Sequence, residues 1–349
     1  MRGGALPAGG KMRKIMLLCL ASAGALFFAL QGGGLFADEG FLFNGLLSSV
    51  PVPPDNLLTD AKVKLGRQLY FDKRLSADNT VSCATCHVPE KGWANHGATD
   101  TGIKGQVGGR NSGSIIDSAY MKVQFWDGRA PTLEAQAVGP IANPIEMGET
   151  LENVVNKLNA IPGYKAQFQN VFGTDATADA IGKAIAAFER TIVSGPSPYD
   201  RYLQGEPEAM TPSAVRGLNI FNGKGHCSAC HSGPAFSDGG YHNLGVGYVK
   251  GKFKDEGRYA VTKAAKDLGA FKTPGMRNVE QTYPYLHDGS EKTLEDVVEL
   301  YSRGGVPNPH LDRLMLPLNL TKTEKKDLVA YLKSLTGPVA EVKEPKLPD

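Results

Sequence analysis

Two short strings carry most of the chemistry in this chain: CATCH at residues 83–87 and CSACH at residues 227–231. Each spaces two thiols two residues apart and sets an imidazole directly after the second. Three chemistries use parts of that pattern. A zinc site takes CxxC pairs as tetrahedral ligands and leaves both histidines unexplained. A redox dithiol takes one CxxC beside a βαβ unit, and no such unit is legible here. Covalent haem attachment takes the whole string, with the thiols adding to the porphyrin vinyl groups and the histidine reaching the iron from one face. Because the complete pattern occurs twice, the reading is two covalent haems c. One is held by Cys83, Cys86 and His87, the other by Cys227, Cys230 and His231.

The compartment agrees with that reading. Arg13 and Lys14 precede the apolar run IMLLCLASAGALFFAL, and a small residue stands at Ala37. This is the pattern of an export signal over 1–37, cleaved near Ala37/Asp38. The run is short for a membrane-spanning helix of about 20 residues, the alternative reading. Cys19 lies inside the leader, so the four remaining cysteines are those of the two strings. The formal net charge is +2 with no long block of one sign, which argues against nucleic-acid or polybasic membrane binding.

The elements that must position these strings read as mainly α with long loops. LTDAKVKLGRQLYFDKRL is expected to be a helix running into a turn, burying Leu65, Leu69 and Tyr70. The stretch 82–130 is rich in Gly, Asn, Asp and Ser and reads as loop. Thr150 is the expected N-cap of TLENVVNKL. Ile181, Ile185, Phe188 and Ile192 share one face of a helix in TADAIGKAIAAFERTIV. SGPSPYDRYLQGEPE reads as a connection. Thr321 and Glu324 form an expected capping box for a last helix that buries Leu328, Leu332 and Leu335. Gly66 and Phe71 ahead of the first string match Gly217 and Phe221 ahead of the second, a weak internal repeat. The expected organisation is two cytochrome c-like haem domains, 38–200 and 201–349. The haem macrocycles would supply apolar surface for loops to wrap.

With SCATCH, GQVGGRN, FWDGRAPTLEAQAVGPIANPIEMG, CSACHSGPAFSD, KTPGMRNV, TYPYLHDGS and TLEDVVELY in place, the chain resembles the bacterial di-haem cytochrome c peroxidases and their MauG-type relatives, from about residue 55 to 337. That resemblance implies a peroxide-binding haem on the first string and an electron-handling haem on the second. It implies that Trp126 lies between them, and that Glu146, Gln136 and Pro140 face the bound peroxide, Glu146 moving its proton. It also implies a Ca2+ between the domains, held by the Asn111 side chain and the carbonyls of Thr282 and Pro284, since loop oxygens suit a hard cation.

Two positions depart from the classical members. Where those carry a histidine that blocks the first iron, this chain has Ile103, which cannot ligate; His96, a few residues earlier, is the substitute a moving loop would offer. Where they carry a methionine on the second iron, this chain has Tyr301, as MauG-type members do, with Met276 and Met315 as rivals. A phenolate ligand favours ferric and higher iron. Both departures imply an enzyme that needs no prior reduction.

Three functions follow. The first is an exported, periplasmic peroxidase that reduces H2O2 with electrons from a small cytochrome c or cupredoxin. The second is a MauG-like oxidase that modifies residues of a partner protein. MauG receives electrons through a surface tryptophan just before its second CxxCH, and NGKGHCSACH has none there. The third is a non-catalytic electron-transfer cytochrome, which leaves Glu146 and Gln136 without a purpose. Of the other histidines, His242 and His287 are expected near haem propionates, and His226 and His310 at the surface.

Overall fold

Helix α1 (Asp60–Phe71) is the first regular element of the computed structural model, which describes residues 49–349. The expected export signal lies outside the described residues. Thr59 caps α1 by accepting from the Lys62 amide, and the helix buries Leu65, Leu69 and Tyr70 completely. The first half continues with α2 (Cys83–Cys86), α3 (Leu133–Ala142), α4 (Leu151–Asn159), α5 (Pro162–Phe172) and α6 (Ala178–Glu189). Thr150 and Thr177 cap α4 and α6 through their hydroxyls. Ile181, Ile185, Phe188 and Ile192 are all buried in the first core, as their spacing predicts. The stretch 82–130 is loop with short turns of helix.

The second half holds α7 (Pro198–Leu203), α8 (Pro212–Asn222), α9 (Tyr259–Thr262), α10 (Leu294–Ser302) and α11 (Lys322–Lys333). The capping box of Thr321 and Glu324 opens α11, and Leu328, Leu332 and Leu335 enter a second core with Phe221, Phe236 and Tyr331. The described strands are β1 (Tyr241–His242), β2 (Tyr248–Val249), β3 (Lys252–Phe253) and β4 (Phe271–Lys272). They pair antiparallel as β1 with β4 and β2 with β3. The chain is mainly α, as expected.

The internal repeat has a physical cause. A Cβ on Gly66 would run into the Ala184 carbonyl of α6, and one on Gly217 would run into the Asp327 carbonyl of α11. In each half, the helix ahead of the CxxCH string crosses a later helix at a glycine, backbone against backbone. Aromatic rings fill the flanks of both crossings. Tyr70 meets Phe188 edge-on at 5.2 Å, and Phe221 meets Tyr331 at 5.0 Å.

The stretch expected to be a connection is instead a packed element. Ser197 and Asp200 form a capping box that starts α7, and Tyr199 enters the second core. Asp200 also accepts from both Arg277 terminal nitrogens, at 2.7 and 2.9 Å, in a pair almost wholly out of solvent. Helices α3 and α5 were hidden by prolines, Pro140 inside one and Pro162 at the first position of the other. The C-terminal tail returns to the first half. Gly195 donates to Pro338 O at 2.7 Å, Gln68 Nε2 to Lys346 O at 3.0 Å and Arg74 to Pro348 O at 3.1 Å.

Gly217→Ala should lower the unfolding free energy by ~1–3 kcal/mol through overpacking, although alanine inside an open helix raises it. An unchanged urea midpoint would contradict the close crossing. Arg277→Met should cost ~3–5 kcal/mol, because it strands the Asp200 carboxylate out of water.

Candidate functional site

The first string folds as a single helical turn. Ser82 and Thr85 cap it reciprocally, and the His87 amide closes it on Cys83 O at 3.0 Å. Tyr70, buried on α1, donates its hydroxyl to His87 O at 3.2 Å, which ties the imidazole's backbone to the first core. The Nδ1 atom of His87 is buried without a hydrogen-bond partner. The second string makes a 3-10 turn, Cys227–Ala229, entered through His226 in the left-handed region at φ 52°. The His231 amide closes on Cys227 O at 2.9 Å, and its Nδ1 lies 3.0 Å from Phe236 O. With Nδ1–H donating there, Nε2 carries the lone pair.

None of the four described cysteines is in a disulfide. Burial raises the Cys83 thiol well above its ordinary value, and pushes Cys86 and Cys227 up to about 12. A redox dithiol or zinc clip needs the opposite shift.

Both strings open onto one cavity of about 790 Å3. Its walls include apolar side chains from both halves, among them Ile115, Ile116, Phe125, Leu314 and Leu318. Two buried imidazoles beside free cysteines and an apolar lining fit a flat apolar group held covalently on each string. Every residue expected at the site lines this same cavity: Cys83, Cys86, His87, Cys227, Cys230, His231, Glu146, Gln136, Pro140, Trp126, Tyr301, Asn111, Thr282 and Pro284.

Helix α3, capped by Thr132, places Gln136 and Pro140 one turn apart on the cavity side. The turn after it carries Glu146, whose Oε1 accepts from Asn143 Nδ2 at 2.8 Å. Burial raises the Glu146 pKa; Arg129 and the Asn143 bond oppose the shift, and Asp100 adds to it. Ile103 stands behind this wall rather than in the cavity. It is buried against Gly148, and its amide donates to Glu146 O at 2.9 Å. A Cβ on neighbouring Gly102 would strike the carbonyls of Ile145 and Glu146. The loop that carries Ile103 is therefore a brace for the Glu146 turn. His96 is engaged elsewhere, 3.1 Å from Gln281 O and stacked on Tyr283.

Trp126 joins the halves. Its indole N–H donates to Asn111 O at 2.8 Å, and its own carbonyl accepts from the Lys272 amide at 2.8 Å. Its ring stands edge-on to His287 at 6.5 Å, and His287 in turn stacks on Phe271 at 3.6 Å. The Asn111 side-chain amide donates to Gly97 O at 3.0 Å, which leaves its oxygen as the atom to offer a ligand. Tyr301, on α10, has its hydroxyl pKa raised by burial and by the Cys227 and Cys230 thiols. Met276 and Met315 line the cavity as well. His242 sits between Asp312 at 2.7 Å and Asp238 at 3.5 Å, while His226 and His310 are exposed.

Sequence reasoning missed charged groups on the cavity wall, Arg110, Lys272 and Glu189 among them. Arg110 bridges Asp127 at 2.7 Å and Asp255 at 2.6 Å, one from each half. Lys272 is buried on β4. Glu189 ends α6, 5% exposed, with Oε2 unpartnered. The only signal for Glu189 was a charge closing an apolar stripe, which reads as a solvated helix end.

The family model for di-haem cytochrome c peroxidase matches residues 60–208. Cytochrome-c peroxidase IdrP1 of Denitromonas iodatirespirans is 39% identical over 371 residues, covering 97% of each chain. Methylamine utilization protein MauG of Methylorubrum extorquens is 40% identical over 302 residues, covering 86% of this chain and 85% of that one. The crystal structure of a MauG-like protein associated with microbial copper homeostasis superposes with a TM-score of 0.76 at 33% identity, covering 84% of this chain and 95% of that one. The diheme peroxidase BthA of Burkholderia thailandensis, at 23% identity, shares the fold with a TM-score of 0.68, covering 85% of this chain and 95% of that one.

Burial raises the Glu189 carboxyl from 4.5 to about 8. Across that window the folded chain holds a proton that the unfolded chain has released, so stability falls as pH rises from about 4.5 to 8 and levels off above. Glu189→Gln should flatten this part of a stability–pH profile measured by urea unfolding. A variant with the wild-type slope would contradict the assignment.

Proposed function

The chain belongs to the di-haem cytochrome c peroxidase family, and on that premise we propose that it is an exported peroxidase that reduces H2O2 to water and reacts in its resting ferric state. It is an oxidoreductase of the peroxidase type, and membership of the family brings two covalent c-type haems. The reaction is H2O2 + 2 e⁻ + 2 H⁺ → 2 H2O. The observation that carries the proposal is the convergence of Glu146, Gln136 and Pro140 with His87 on one cavity that also reaches His231 and Tyr301.

When bound, the haems supply iron that accepts and releases electrons one at a time, and the first supplies the iron at which peroxide is cleaved. Cys83, Cys86 and His87 would hold the first; Cys227, Cys230, His231 and Tyr301 would hold the second. The protein's own part is proton handling and positioning. Asn143 fixes one Glu146 oxygen at 2.8 Å, leaving the other to take a proton from the inner peroxide oxygen and return it to the outer one. Partial burial raises the Glu146 pKa, which favours the protonated form that the carboxyl must pass through as it carries the proton. Ile103 places no ligand in the cavity, and this supports an open first site. Trp126, bonded to both halves, is the oxidisable ring between them.

Asn111, Thr282 and Pro284 share the cavity wall, which supports the Ca2+ reading. The separate cores support two haem domains, with Tyr199 and α7 on the second core so that the division falls ahead of Pro198 rather than at 200/201, and with the tail returning to the first. The leader supports a periplasmic location, and a small cytochrome c or cupredoxin is the donor class. The MauG-like alternative, by the route MauG itself uses, takes its electrons through a tryptophan at the surface. The chain has only Trp93 and Trp126, the first 2% exposed in the core and the second on the cavity wall.

Stopped-flow mixing of the as-isolated ferric holoprotein with one equivalent of H2O2 tests the proposal. An immediate spectral change is expected; an inert ferric protein that reacts only after partial reduction would overturn it. Glu146→Gln should slow the reaction by ~10²–10⁴-fold without altering the resting spectrum. Tyr301→Phe should alter the low-spin haem spectrum alone, and a spectrum identical to wild type would remove Tyr301 as a ligand.

A further inference from the structure

Lys272 is a cation buried without an anion. It is 9% exposed and lines the cavity. Its ammonium approaches Thr273 O at 3.4 Å and Met121 Sδ at 3.9 Å, both long and neither charged. The buried arginines are provided for differently: Arg277 has Asp200 at 2.7 Å and Arg190 has Glu134 at 2.6 Å. Burial alone pushes the Lys272 pKa down to about 8, with no neighbouring charge contributing. Holding an unpaired ammonium out of water costs several kcal/mol, so a lysine so placed calls for an anion that arrives with a bound group.

The position of the residue says which group. Lys272 lies opposite Tyr241 in the β1–β4 ladder. The next residue, Thr273, donates its amide to Gly240 O at 2.9 Å and accepts from Ser237 Oγ at 2.6 Å. Asp238, between those partners, donates to Cys230 O at 2.9 Å. The strand is thus tied through a few residues to the second CxxCH string. A haem c brings two carboxylates, its propionates. His242, expected to meet a propionate, is already flanked by the Asp238 and Asp312 carboxylates.

We propose that Lys272 is the counter-cation for a propionate of the haem carried by Cys227 and Cys230, and that its charge holds up the reduction potential of that haem. The inference rests on the two-haem reading above. A fixed positive charge favours the reduced, more negative centre, and so offsets part of the lowering that a tyrosinate ligand imposes. Because the Lys272 amide also bonds Trp126 O, the same short strand links the charge to the ring between the halves.

Full-length holoproteins carrying Lys272→Met, Lys272→Gln and Lys272→Arg test the proposal, with haem content counted first by pyridine haemochrome. Fewer than two haems per wild-type chain would overturn the two-haem reading itself. With two haems present, spectroelectrochemical titration should show the low-spin haem of Lys272→Met and Lys272→Gln harder to reduce by about tenfold or more in its equilibrium constant, roughly 59 mV. Lys272→Arg should stay near wild type, and the propionate bands in resonance Raman should shift only in the neutral variants. A low-spin potential unmoved in both neutral variants, or a shift confined to the other haem, would overturn the proposal.

Discussion

The carbonyl of Ala184 rests against Gly66, and that of Asp327 against Gly217. These two contacts set the distance between the helices of each half, and the rest follows from them. A side chain at either glycine would push α1 from α6 or α8 from α11, and with it the segment that runs on into CATCH or CSACH. Because the crossings are close, Tyr70 can reach the backbone of His87, and Phe221 and Phe236 can pack beside Tyr331 in the second core. The imidazoles are placed by helices, although the strings that carry them are little more than turns.

Around those anchors the molecule is mostly loop, and polar bonds rather than sheets hold it. Charged groups do this at the seams. Arg110 ties Asp127 of the first half to Asp255 of the second, and Arg277 secures α7 through Asp200. At the site the same economy appears in neutral form. The Ile103 loop leans on the Glu146 turn through one backbone bond and two glycine contacts, so the residue that stands clear of the cavity also steadies the turn that carries the Glu146 carboxyl. Trp126 is fixed from both sides, by Asn111 and by the strand of Lys272.

Much of this was legible in the sequence because the informative residues act locally. Thr150 and Thr321 cap the helices they precede, and the stripes of α6 and α11 bury the residues their period selects. The five-residue strings name their own chemistry. What escaped depends on partners far along the chain. The segment holding α7 is flanked by prolines and glycines and reads as a linker, but Arg277 and the second core make it an element. Ile103 was legible as a missing ligand and not as a brace, since Gly148 and the Glu146 carbonyl meet it only in the folded chain. Lys272 and Glu189 look like ordinary surface charges until the cavity is built around them.

The central claim is that two nearly identical attachment strings are made unlike by what surrounds them, the first iron keeping a free position and the second taking Tyr301. Electron paramagnetic resonance of the as-isolated ferric protein tests this most directly. The account predicts one high-spin and one low-spin ferric signal in equal amounts, present before any reductant is added. Two low-spin signals, with a high-spin species emerging only on partial reduction, would contradict it.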